Sequence, residues 1–211
     1  MTHNNQTEPF FISVMALILA EVAVIVIISI KIMAPMFVLG IIRVLEIISF
    51  MLIYVMWGNG LASLGLARHQ IVPGLKRGLI WSSGFGIIVA LAFGILFLSG
   101  RNPFNLLNAR LPEQPGELLF FLLLRGVIGP VAEEIFFRGI LYGFLRRWGV
   151  FIALFLSSLM FVLVHPVSGP TQMVGSILFA VAYETEGKLM VPITIHALGN
   201  MAIFAVSALH L

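Results

Sequence analysis

Between Phe10 and Ile32 the chain runs through Leu, Ile, Val, Ala and Phe with only two charged side chains, Glu21 and Lys31. A helix crossing a bilayer needs about 20 mostly apolar residues, so this run has the length of a span. Comparable stretches follow at Phe37–Trp57, Gly78–Ser99 and Glu117–Trp148, then two shorter ones at Val150–His165 and Met173–Glu184, and finally Leu189–Leu209. Hydrophobic residues make up 60% of the 211, and charged residues 10%. A soluble domain carries about 25% charge, so this chain lacks the means to clothe itself in water. Its surroundings are a lipid bilayer. Backbone groups in hydrocarbon must be satisfied within each segment, which predicts helices. The expected fold is therefore an all-α, polytopic transmembrane bundle of about seven spans.

The leader MTHNNQTEP lacks the basic residues of a signal sequence, and the apolar run behind it is too long for one, so the first span is read as retained. The absence of Cys removes disulfides, thiolate metal sites and a cysteine nucleophile. The net charge of +3 reflects membrane topology and not nucleic-acid binding. Two polar connections, Gly58–Gly78 and Gly100–Glu117, are rich in turn residues. Neither is long enough to separate one domain from another. Residues 1–211 are thus expected as one membrane domain, with accessory spans in 1–115 and the catalytic core spans in 116–211. Arg68, Lys76, Arg77, Arg146, Arg147 and Lys188 would lie in the cytoplasm by the positive-inside rule, which puts the N-terminus there also.

Ionisable residues inside spans are costly and mark function by default. Three groups lie on three segments: Glu133, Glu134 and Arg138; Phe161 and His165; His196 and Asn200. Residues four apart share a helix face, whereas adjacent ones point about 100° apart. Glu134 and Arg138 are therefore expected to stack as an ion pair that fixes helix packing. Glu133 points elsewhere. Phe161 with His165, and His196 with Asn200, each form a short stripe. Counted at about 1.5 Å per residue, these stripes reach the middle of a core about 30 Å thick and can converge. The first glutamate pair, AEEIFFRG, is the strongest sign of chemistry in the sequence.

EEIFFR, FVLVH and HALGN, in that order, fit Glu-Glu-x-x-x-Arg, Phe-x-x-x-His and His-x-x-x-Asn. The sequence resembles the CPBP family of intramembrane proteases, also called Abi, which includes the CAAX proteases and bacteriocin-processing enzymes. The resemblance covers the C-terminal half, from about Glu117 to Ile203. It implies a membrane-embedded endopeptidase acting on a peptide or a membrane-tethered, CAAX-like protein tail. By that resemblance Glu133 and His165 activate a water, while His196 and Asn200 stabilise the oxyanion. The residue types suit those roles: a carboxylate can serve as base and then acid, and an amide and an imidazole are competent oxyanion donors. Glu134, Arg138 and Phe161 are expected to support the site.

No cofactor is expected on this reading. The mechanistic rival is a zinc enzyme with Glu133, His165 and His196 as ligands, since two His and one Glu form a known catalytic set. The sequence lacks H-E-x-x-H, and Asn is a poor ligand. Rivals of other classes are a non-catalytic partner-binding or immunity membrane protein and a transporter with a Glu/His proton relay. Several polar residues receive structural readings. Glu21, Arg43 and Glu46 are spaced to pair, and Gly139 and Gly143 have the spacing of close helix packing. His165 precedes Pro166, which biases it out of helical geometry. Arg125, two turns before Glu133, is left with a carboxylate-binding role that nothing in the sequence supports.

Overall fold

The computed structural model describes residues 7–107, 109–165 and 169–209, and every regular element among them is helical. Seven helices follow in order: α1 (Thr7–Ser29), α2 (Pro35–Met56), α3 (Arg68–Leu98), α4 (115–148), α5 (Val150–Val164), α6 (Pro170–Glu186) and α7 (Met190–Ala208). Single 3-10 turns at Leu61–Leu64 and Pro103–Leu106 lie in the two polar connections. The all-α bundle expected from the apolar runs is the fold. Four segments, 7–29, 35–56, 61–98 and 190–208, are long and apolar enough to cross a bilayer. α5 and α6 have 15 and 17 residues, short of the roughly 20 that a span requires.

Two boundaries depart from the sequence reading. α3 begins at Arg68, so the second half of the connection expected at Gly58–Gly78 is helix. Pro73 lies in its second turn without ending it. There it forgoes the i→i−4 bond to the His69 carbonyl, and the helix continues through it. The fourth stretch is continuous but not uniformly α: it widens to π geometry at Leu124–Ile128 and again at Ile135–Tyr142. Pro130 follows the first widening. Its ring would clash with the carbonyl four residues back, and a wider turn relieves that contact.

The exposed faces are those of a protein in lipid. Ile87, Leu91, Ile95 and Leu98 form one outward row along α3, and Ile18, Val22 and Ile25 another along α1. Inside, α4 is central: its 129–142 portion packs against α2, α5, α6 and α7. α3 lies along α7, and glycines permit the approach. A Cβ on Gly78 would come within 2.6 Å of Thr194 Cβ, and one on Gly74 within 2.8 Å of Met190 Cβ. This Gly-x-x-x-Gly spacing meets residues four apart on the facing helix, the arrangement by which small residues bring membrane helices together. Of the expected Gly139–Gly143 pair, Gly139 is also closely packed: a Cβ there would stand 3.1 Å from Leu64 Cδ2.

The connection after α2 closes one end of the bundle. Gly65 has φ +75°, and its carbonyl accepts from the Leu189 amide at 3.1 Å. A Cβ there would sit 2.8 Å from the Gly187 carbonyl oxygen, so both the dihedral and the space require glycine. Leu64 next to it is wholly buried among Phe50, Ile53, Ile135, Ile140 and Leu189. The Tyr183 hydroxyl donates to the Leu64 carbonyl at 3.1 Å. Residues before 115 are thereby fastened to the helices that carry the motifs.

Candidate active site

Glu134 and Arg138 are fully buried, and Arg138 Nη1 donates to Glu134 Oε1 at 3.0 Å. The i,i+4 stack expected from the sequence is present. Arg138 Nη2 donates to the Ser176 carbonyl on α6 at 2.9 Å, and its guanidinium lies 4.6 Å from the Phe161 ring centroid and 5.2 Å from that of Phe179. Charge, hydrogen bonds and two ring faces share the cost of burying the cation.

Glu134 has a second partner that helix periodicity could not show. The same Oε1 accepts from His196 Nδ1 on α7 at 2.8 Å. The His196 ring also stacks on Phe179, centroids 4.6 Å apart and planes 19° apart. A hydrogen bond at Nδ1 fixes the tautomer and leaves Nε2 facing the site. His165 is fixed in the same way. Its Nδ1 donates to the Phe161 carbonyl at 2.6 Å, and its ring lies 4.2 Å from that of Phe161. His165 is the C-cap of α5, with extended φ −83° and ψ 127°, as a residue preceding proline prefers.

Both free Nε2 atoms point at one carboxylate oxygen. Glu133 Oε2 is 3.7 Å from His165 Nε2 and 3.8 Å from His196 Nε2. Glu133 is the partly accessible member of the adjacent pair and Glu134 the sealed one, as their different directions around the helix require. Gly129, one turn earlier, leaves the approach to Glu133 open: a Cβ there would be 3.9 Å from Glu133 Oε1. Thus three of the sequence-predicted residues, on α4, α5 and α7, converge. Phe161 is the shared wall, 2% exposed, against Arg138, His165 and His196.

Residues 115–202 match the family model described as Rce1-like, type II CAAX prenyl endopeptidase Rce1-like. This segment, less than half of the chain, is similar to that family. It contains all three motifs and agrees with the CPBP/CAAX protease resemblance read from them. No curated protein and no solved structure shows significant similarity to the chain.

Asn200 lies one turn beyond His196 on α7 and is held differently. Its Nδ2 donates to the Arg125 carbonyl, 2.9 Å away, on the first π turn of the Rce1-like segment. One amide hydrogen is thus committed to α4, and the other has no partner among the described residues.

A contributor missed by the motif reading comes from α2. Arg43 binds Glu46 at 2.6 Å and Glu21 at 3.1 Å, as the spacing predicted, but its charge also acts on Glu133. The spacing signalled those two contacts; the longer-range effect on Glu133 depends on how α2 lies against α4. Among the described residues, no group of three or more His, Cys, Asp or Glu side chains is arranged to hold a metal ion.

Proposed function

We propose that the chain is an intramembrane endopeptidase that cuts a peptide or membrane-tethered, CAAX-like protein tail by base-activated water. The observation that carries this reading is the convergence of Glu133 Oε2 with the Nε2 atoms of His165 and His196 at 3.7 and 3.8 Å. Those separations exceed the 2.7–3.2 Å of a direct hydrogen bond and suit a bridging water. His165 presents its Nε2 lone pair there, because its Nδ1 hydrogen is engaged by the Phe161 carbonyl. A water donating to Glu133 and to one imidazole has its oxygen lone pair directed outward. Glu133 takes the proton as that oxygen attacks the scissile carbonyl, and returns it to the leaving amine.

The oxyanion forms beside α7. Asn200 contributes its second amide hydrogen, and His196 contributes its Nε2 when protonated. Glu134 acts one step removed, holding His196 in orientation while Arg138 balances its charge. The substrate's prenyl group, if it carries one, has the bilayer beside the site as its solvent. On this reading no metal takes part.

The test uses purified protein in nanodiscs and a prenylated peptide read by mass spectrometry. Glu133→Gln should remain folded and lose about 10²–10⁴-fold in turnover. Full activity in that variant would end this assignment. Wild-type protein should contain no stoichiometric zinc. One zinc per chain, with activity lost on its removal and restored on its return, would replace the metal-free mechanism by one with Glu133, His165 and His196 as ligands.

A further inference from the structure

Arg125 is the charge that neither the motifs nor the proposed mechanism employs. It is exposed, and among the described residues no acid lies within ion-pair distance of it. It does not face lipid. Leu119, Leu123 and Val127 form the outward row of this portion of α4, exposed by 71%, 49% and 40%. Arg125 is two residues from both Leu123 and Val127, about 200° around a helix and so on the opposite side. On that side the 124–128 turn touches both α2 and α7.

The π turn sets which residues line up along this side of α4. Two turns of α-helix take about 7.2 residues, and a π turn adds about one more. Arg125 and Glu133, eight residues apart across one such turn, therefore lie on one line along α4. Gly129 stands between them and offers no side chain to block the line. The separation is about two turns, or roughly 11 Å. Asn200 pins this turn through the Arg125 carbonyl, so the guanidinium is free while its backbone is held.

We propose that Arg125 binds the C-terminal carboxylate of the substrate, with the peptide lying along Arg125, Gly129 and Glu133. This rests on the endopeptidase reading and adds to it a specificity-determining residue. An extended chain advances about 3.3 Å per residue, so a carboxylate at Arg125 brings the bond about three residues upstream to Glu133. Guanidinium matches carboxylate with two parallel hydrogen bonds, which a lysine ammonium cannot copy.

The experiment compares a dansylated, farnesylated peptide ending in Cys-Val-Ile-Met as free acid and as C-terminal amide. Wild-type protein in nanodiscs should cut the acid with kcat/KM about 10- to 100-fold above the amide, since one charge-assisted pair is lost. Arg125→Gln should bring that ratio close to 1, and Arg125→Lys should leave it between the two. A wild-type ratio near 1 overturns the assignment without any variant, as does an Arg125→Gln ratio equal to wild type. Binding to the Glu133→Gln protein, read by dansyl anisotropy, separates the two levels. Cleavage with equal binding of acid and amide removes Arg125 alone. Neither binding nor cleavage of either peptide removes the endopeptidase reading and this assignment with it.

Discussion

Two acid–arginine clusters lie in this bundle, one in α1–α2 and one in α4, and they are enclosed to different degrees. Arg43 joins Glu21 and Glu46 with a quarter of its side chain exposed, and Glu21 is 44% exposed. Arg138 and Glu134 are wholly buried and are tied to α6 through the Ser176 carbonyl and to α7 through His196. Each cluster leaves one carboxylate oxygen without a hydrogen-bond partner among the described residues, Glu46 Oε1 and Glu134 Oε2. The α2 cluster joins two neighbouring helices and lends its field to Glu133. The α4 cluster joins three and sets the orientation of a histidine. Similar residue spacing thus performs unequal work, and the surroundings of each pair make the difference. The deeper cluster also belongs to the Rce1-like segment, and the shallower one lies outside it.

The strongest way to break this contrast is to remove one partner from each cluster. Glu134→Gln strands Arg138 in a dry site and should cost about 3–5 kcal/mol of stability. Removing both partners, Glu134→Gln with Arg138→Met, should recover some of that loss. Arg43→Met should cost less, about 1–2 kcal/mol, since Arg43 and Glu21 are partly exposed although Glu46 is buried. Melting temperatures in one detergent decide the ranking; an equal fall for both clusters would erase the distinction drawn between them.

Next in size is Asn200→Ala, which should lower kcat by about 10²–10³-fold with little change in peptide binding, if its second hydrogen serves the oxyanion. Loss of melting temperature with unchanged turnover per folded molecule would instead reduce Asn200 to an anchor for the Arg125 carbonyl.

The smallest effect tests the joint between the two regions. Gly78→Ala drives a methyl into Thr194 and should cost about 1–3 kcal/mol. Gly86→Ala, two turns further along α3 with no atom within 4 Å of an added Cβ, should be neutral or stabilising by up to about 1 kcal/mol. Equal melting temperatures for the two variants would show that α3 and α7 can separate without loss.

Sequence by itself determined that the chain folds as helices in a bilayer, because apolar runs of that length leave the backbone no other way to satisfy itself. It also determined what each helix does alone. The Glu134–Arg138 stack, the Arg43–Glu46 pair and the non-helical His165 all follow from local geometry, and all three are present. Tertiary structure decided who meets across helices. That His196 turns to Glu134, that Arg138 reaches the Ser176 carbonyl and that Asn200 holds the Arg125 carbonyl all depend on how helices are rotated against one another. Periodicity carries no such information, and the π turns before and after Glu134 shift the register it would have assumed. A repeat of 3.6 residues says which side chains share a face; only packing says what that face is pressed against.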